Sequence, residues 1–234
     1  RPYLARMTRT ELFILMTVGL SVIAGTVFVL YATILKNVLP GALGHLLVAS
    51  MMSLPAGIML ARVMVPGPAD TDHTGKTGHE YRSSMDAVTD GTEAGLRIYL
   101  QIVAMLIVLM ALVALANAIL SLLPDVAGAA ITLQRLLGLV MAPVCWLMGI
   151  PWDQALTAGS LMGTKTVLNE LIAYLDLARL PTDALDARSR LIMLYAMCGF
   201  ANFGSLGIMI AGLTVMAPER RADIVSLGPK TIVS

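Results

Sequence analysis

One carboxylate stands out because the sequence around it is apolar. Glu170 follows Asn169 and precedes a run of apolar residues. An ionised carboxylate in such surroundings costs several kcal/mol unless it is paired or hydrated, so Glu170 is a candidate for function. Its lone pairs can accept hydrogen bonds from two neighbouring hydroxyls, which suits a sugar diol. The alternative is a structural partner for Lys165, which lies only roughly on the same helical face.

An asparagine in another apolar run is the second candidate. The Asn202 amide offers both a donor and an acceptor, as the edge of a nucleobase does. If the backbone here is unwound, Phe200 can supply a flat face and Ser205 a hydroxyl to the same ligand. If the helix is unbroken, these residues are ordinary core packing.

Motifs of common enzymes are absent from the sequence. It contains no H-E-x-x-H, G-x-S-x-G, Walker or G-x-G-x-x-G pattern, so we predict that the protein is not an enzyme. His73 and His79 lie in a polar stretch without further ligands, which favours solvated loop residues over a metal pair. Cys145 and Cys198 lie in apolar runs and are interpreted as buried thiols.

The composition indicates that most side chains are surrounded by lipid or by protein and not by water. Hydrophobic residues make up 57% of the 234 residues and charged residues only 13%, with a mean hydropathy of +0.81. Soluble domains contain about 25% charged residues. The net charge is +1 and no basic cluster occurs, which excludes nucleic acid as an expected partner.

Four charge-free windows are long enough to cross a bilayer, which takes about 20 residues of helix. They predict a multi-pass, all-α membrane protein with four transmembrane helices. The windows are bracketed by Glu11 and Lys36, by Lys36 and Arg62, by Arg97 and Asp125, and by Arg190 and Glu219.

The region between the third and fourth windows has apolar pieces too short to cross. Residues Ile131–Met148 predict an interfacial helix, and Trp152–Leu177 predict a re-entrant helical hairpin with its tip near Gly163-Thr164-Lys165. Residues 66–80 predict an aqueous loop, followed by a surface helix over 83–95. The distribution of Lys and Arg places the hairpin on the outer side.

The first and fourth windows share a mid-span cluster of small residues. Residues 19–26 and 199–206 match at an offset of 180, and the two spans run in opposite directions. Interrupted spans of opposite direction are typical of inverted-repeat transporters, whose substrate site lies at the breaks. The alternative is helix packing through small residues. The repeat also predicts a hairpin upstream of Arg1 and a further span after Ser234, so we treat both ends as cuts.

Two long motifs make the sequence similar to a known family. Residues 163–174 (GTKTVLNELIAY) and 198–207 (CGFANFGSLG) resemble signatures of the concentrative nucleoside transporter family. The opening RPYLARMT and residues 133–138 and 148–152 fit the same family. The resemblance covers essentially the whole chain.

The resemblance implies a homotrimer in the inner (plasma) membrane that imports nucleosides of the uridine, cytidine and adenosine class by an elevator-like movement. It implies no cofactor beyond a coupling ion, sodium or proton. The substrate site would comprise Glu170, Asn169, Phe200, Asn202 and Ser205. A sodium site would include Ser21, Ala24 and Thr26 at the first break.

Three alternatives to nucleoside transport remain open. They are uptake of another polar solute, a non-transporting receptor or assembly subunit, and a membrane enzyme.

The resemblance also divides the chain into functional parts. The expected parts are first-repeat transport helices over 1–64, a loop and surface helix over 65–96, a scaffold helix over 97–124, the interfacial helix over 131–150, the hairpin over 151–178, and a discontinuous helix with the start of a last span over 188–234.

Overall fold

The computed structural model describes residues 2–68, 83–125 and 130–234, and every regular element in these ranges is helical. The predicted all-α class is therefore confirmed. The aqueous loop with His73 and His79 lies largely outside the described residues. The helices are α1 (Pro2–Arg6), α2 (Arg9–Ser21), α3 (Gly25–Leu35), α4 (Ala42–Met64), α5 (Ser84–Leu120), α6 (Leu133–Leu147), α7 (Trp152–Val167), α8 (Glu170–Arg179), α9 (Ala187–Met197), α10 (Phe203–Met216) and α11 (Arg221–Leu227), with 3-10 turns at Pro218–Arg220 and Gly228–Ile232.

The first apolar window folds as two helices instead of one. Thr8 begins α2 with a capping box, in which its hydroxyl accepts the Glu11 N–H and the Glu11 carboxylate accepts the Thr8 N–H at 2.8 Å. Between α2 and α3, Val22 (φ −114°, ψ 162°) and Ala24 (φ −69°, ψ 142°) are extended. The predicted discontinuity of the first span is confirmed.

The fourth window is broken in the same way, and the two breaks touch. Helix α9 ends at Met197, and the extended Asn202 (φ −145°, ψ 166°) precedes α10. A Cβ on Gly199 would lie 3.0 Å from the Ser21 carbonyl oxygen and 3.2 Å from that of Leu20. Only glycine fits this approach comfortably. The fourth span is therefore not one unbroken helix, and Gly199 also packs closely on the first break, as the alternative of packing through small residues expects.

The hairpin is formed by α7 and α8, but its tip is not where we predicted it. Helix α7 continues to Val167 and α8 begins at Glu170, so the chain turns at Leu168 and Asn169. This is about one helical turn beyond the predicted tip at Gly163-Thr164-Lys165. The Asn169 side chain starts α8 by accepting the Ile172 N–H at 2.9 Å.

Gly163, which we expected at the hairpin tip, packs α7 against α6 together with Gly159. A Cβ on Gly163 would collide with the Gln134 carbonyl oxygen, and one on Gly159 with that of Gly138 and, at 2.8 Å, with the Ala142 nitrogen. The two backbones therefore approach closely along this seam. This is the physical reason why Gly163 lies within α7 and not at the hairpin tip.

The surface helix predicted over 83–95 is not separate from the third span. Ser83 caps a single 37-residue helix, α5, by accepting the Asp86 N–H. Among the described residues, the 23-residue α4 is the one helix long and apolar enough to cross a membrane by length and composition. The windows at either end of the chain instead contain pairs of shorter helices, because each is broken in the middle.

After α10 the chain turns back along the molecule, and within the described residues no further span begins. Ala217 leaves the helical conformation before Pro218, whose ring is incompatible with a continuing helix. The Arg220 guanidinium then donates to Asp223 at 3.0 Å and to the carbonyl oxygens of Leu4, Ala5 and Met7. These bonds tie the segment after α10 to α1.

Candidate functional site

Glu170 is the first residue of α8 and lies at the centre of a buried polar cluster that it forms with Tyr31 and Asn202. Its side chain is only 5% exposed. The Tyr31 hydroxyl donates to Oε1 at 2.7 Å, and the Asn202 amide donates to Oε2 at 3.2 Å. The N-terminal end of α8 also favours a negative charge at this position. The carboxylate is thus buried with one protein donor on each oxygen.

Lys165, the alternative partner for Glu170, lies near it without direct contact. The lysine is 6% exposed and interacts electrostatically with Glu170. Among the described residues, no salt bridge or hydrogen bond to its ammonium is found. Hydrogen bonding of Glu170 therefore goes to Tyr31 and Asn202. Lys165 contributes a nearby positive charge in the last turn of α7.

Both asparagines predicted for the site are helix caps. Asn202, 1% exposed, accepts the Ser205 N–H at 2.7 Å through Oδ1 while its amide donates to Glu170. Asn169 accepts the Ile172 N–H and so starts α8. Asn202 therefore joins the start of α10 to the carboxylate, whereas the described hydrogen bond of Asn169 is local.

Phe200 and Ser205 border a separate space. Both line a cavity of about 680 Å³ between α2 and α10, whose remaining wall is mostly apolar. Glu170 and Asn202 are absent from this wall. The structure thus groups the five predicted residues in two sets, with the Asn202–Ser205 cap bond connecting them. The apolar residues that complete the cavity include Leu15, Met16, Leu20 and Met209.

The first break carries the residues predicted to bind a cation. The Ser21 hydroxyl donates to the Val18 carbonyl at 3.0 Å, and Ala24 is exposed and precedes α3. The Thr26 side chain lies outside the described residues. A hydroxyl and unwound backbone carbonyls are oxygen donors of the kind that bind Na⁺ in discontinuous helices. Among described residues, no cluster of His, Cys, Asp or Glu suited to a metal occurs.

Tyr31 is a residue of this site that the sequence did not predict. This residue is 2% exposed, and its ring lies 5.0 Å from that of Tyr174, whose own hydroxyl donates to the Leu194 carbonyl at 2.9 Å. A tyrosine in an apolar window looks like core packing. The only available signal was that a buried hydroxyl requires a polar partner, and Glu170 supplies one.

The chain as a whole is similar to known transporters. Residues 45–234 match the family described as "Na+ dependent nucleoside transporter C-terminus". The uncharacterized transporter YutK of Bacillus subtilis is 38% identical over the whole chain, and the nucleoside permease NupC of Helicobacter pylori is 32% identical. The chain spans 58% and 56% of these relatives, a little over half of their length.

Solved structures of CNTnw share the fold. A doubly substituted CNTnw in an outward-facing state matches 99% of this chain at 36% identity with a TM-score of 0.84, and the chain covers 56% of it. The inward-facing, substrate-bound state of CNTnw matches with a TM-score of 0.73 at the same identity. The chain therefore belongs to the concentrative, Na⁺-dependent nucleoside transporter family and matches its C-terminal part.

Proposed function

We propose that the parent protein imports nucleosides across the plasma membrane by symport with sodium. The observation that carries this proposal is the Glu170 carboxylate, buried and bonded by Tyr31 and Asn202. A carboxylate offers about four lone-pair sites, so about two remain after these two bonds. Two sites suit the two adjacent hydroxyls of a ribose.

The other residues complete the nucleoside site in this proposal. Asn202 and Ser205 add polar contacts at the start of α10, and Phe200 provides an apolar face beside the cavity that it lines with Ser205. Asn169 fixes the beginning of α8 and with it the position of Glu170. The known relatives named as nucleoside permeases support this class of substrate.

Sodium is proposed as the coupling ion, bound at the first break by Ser21, Ala24 and Thr26. Support comes from the oxygen-rich chemistry of unwound backbone and from the family description, which specifies Na⁺ dependence. Protons are the alternative. A bound cation lowers the cost of grouping carbonyls and polar side chains at membrane depth.

The proposed movement is of the elevator type within a homotrimer in the lipid bilayer. The two broken helices and the hairpin form the moving body, and α5 forms part of the scaffold. Support comes from the match of this chain to CNTnw in both outward-facing and inward-facing states.

Uptake by the full-length parent protein in proteoliposomes tests the function. We expect labelled uridine to accumulate under an inward sodium gradient and not under a proton gradient or none, and to be recovered chemically intact. Accumulation under the proton gradient alone would show that the coupling ion is the proton and not sodium. Absence of uptake by folded trimers under all three conditions would contradict nucleoside transport.

Substitution of Glu170 tests the site. Glu170→Gln keeps the shape but removes the charge and an acceptor oxygen, so we expect uptake to fall to background while trimers still form. The matched control is Glu93→Gln, at an exposed carboxylate on α5 that pairs with Arg97. Uptake retained in Glu170→Gln, with trimers lost, would make Glu170 structural.

A further inference from the structure

The Tyr31 hydroxyl connects the first break to the Glu170 carboxylate. Tyr31 lies on α3, which begins at Gly25 immediately after the break. The distance along the helix from Gly25 to Tyr31 is about 9 Å at about 1.5 Å per residue. The hydroxyl ends 2.7 Å from Oε1 of Glu170. A short, stiff helical segment therefore lies between the break and the carboxylate.

The carboxylate is also connected to the second break. Its Oε2 accepts the amide of Asn202, which caps α10 directly after that break. Each oxygen of Glu170 is thus bonded to the helix that follows one break. Bonds of this kind fail beyond about 3.5 Å, so a small displacement of either helix changes the orientation of the carboxylate.

Order at the first break therefore affects the nucleoside site through α3. The break exposes unwound backbone at Val22 and Ala24, and its position fixes where α3 begins. A cation bound there would order this backbone and hold α3 in place, which would keep the Tyr31 hydroxyl on Oε1. Linkage is reciprocal, so a nucleoside on Glu170 strengthens cation binding by the same factor.

We propose that Tyr31 is the positioning residue that couples cation binding at the first break to nucleoside binding at Glu170. This inference rests on the proposed sodium symport. In this proposal Tyr31 determines how strongly the bound cation increases nucleoside affinity. A residue that only contacts the nucleoside would instead change its affinity equally with and without the cation.

Tyr31→Phe removes the hydroxyl and keeps the ring packing. Tyr174→Phe is the matched control, because the neighbouring ring loses a buried hydroxyl that bonds the Leu194 carbonyl and not Glu170. In purified full-length protein, uridine Kd is measured without sodium and with saturating sodium. The coupling factor is the ratio of these two Kd values.

We expect the coupling factor to fall at least about fivefold in Tyr31→Phe, since couplings between sites commonly span about 5–150-fold. Tyr174→Phe is expected to keep the wild-type factor. An unchanged factor in Tyr31→Phe, with Kd weakened equally in both conditions, would overturn the inference. An equal fall in both variants would do the same.

Failure of the proposed function has a different signature. If uridine binds wild-type protein without any effect of sodium, the symport proposal fails in the wild type and the inference falls with it. If sodium strengthens binding in the wild type, the function stands and the variants alone decide the role of Tyr31.

Discussion

The Asn202 side chain has two separable tasks, and substitutions can divide them. Its Oδ1 caps α10, and its amide holds Glu170. Serine is an equally good cap but is too short to hold the carboxylate, whereas alanine does neither. We expect Asn202→Ser and Asn202→Ala to weaken uridine binding similarly, by at least about tenfold, the loss of about one charge-assisted hydrogen bond.

The two variants should differ in stability. Asn202→Ala is expected to be less stable than Asn202→Ser by about 1 kcal/mol, the usual contribution of a cap. Thermal unfolding of the purified protein and uridine titration give the two quantities. Wild-type binding in Asn202→Ser would show that the amide contact with Glu170 is not part of the site.

At the scale of single residues, the sequence identified those whose type conflicts with their surroundings. Glu170 and Asn202 were found because polar groups are costly in apolar runs, and both are buried in the structure. Tyr31 was not found, since its ring agrees with an apolar span and its hydroxyl partner is distant in sequence. Ser205 and Phe200 face a different space from Glu170, which spacing along the chain cannot reveal.

The contact between α6 and α7 depends on glycine, and one added methyl tests it. In Gly159→Ala the new Cβ collides with the Gly138 carbonyl oxygen and approaches the Ala142 nitrogen at 2.8 Å. Backbone atoms in two packed helices cannot move away from the new methyl group unless a whole helix shifts. We expect the helices to separate, at a cost of about 1–3 kcal/mol in unfolding free energy.

Gly44→Ala on α4 is the matched control, because its Cβ meets no described atom within 4 Å. Alanine also favours a helix over glycine by up to about 1 kcal/mol, so this variant should be neutral or more stable. The comparison is made by thermal unfolding of full-length protein. Equal unfolding temperatures for Gly159→Ala and Gly44→Ala would mean that the contact contributes nothing.

At the scale of elements, the sequence predicted which helices exist better than where they turn. The breaks in the first and fourth spans were indicated by clusters of small residues. At Gly163 a small residue led to a wrong position for the hairpin tip. A glycine that turns the chain cannot be distinguished in sequence from a glycine that allows a neighbouring backbone to approach. The long α5 joins two predicted helices because nothing between Gly95 and Arg97 interrupts a helix.

The arrangement of the whole chain is closer to one state of CNTnw than to another. The TM-score is 0.84 for the outward-facing state and 0.73 for the inward-facing state, at equal identity. In this arrangement the Asn117 amide on α5 donates to Gln134 on α6 at 3.1 Å, and Asn117 Oδ1 accepts the Leu133 N–H at 2.9 Å. This contact links the proposed scaffold helix α5 to α6, which packs against the hairpin helix α7 of the proposed moving body.

We expect loss of the Asn117 contact between α5 and α6 to change the transport rate more than the affinity for uridine. We expect Asn117→Ala to leave uridine Kd within about twofold and to alter the maximal uptake rate, because this contact is separate from those of Glu170. Asn37→Ala, at an exposed asparagine, is the control. A weaker Kd with an unchanged maximal rate would contradict the assignment of this contact to the movement.

The surroundings of Glu170 have an electrical consequence. The carboxylate lies at the start of α8, touches the cap of α10, and has the Lys165 ammonium nearby. Glu170 and Lys165 together contribute no net charge, so in the proposed sodium symport the loaded site would cross with the charge of its bound sodium ion alone, and the voltage would act on that loaded step. Each cycle would then carry current, and the membrane voltage would add about 2.3 kcal/mol per 100 mV to the drive for uptake.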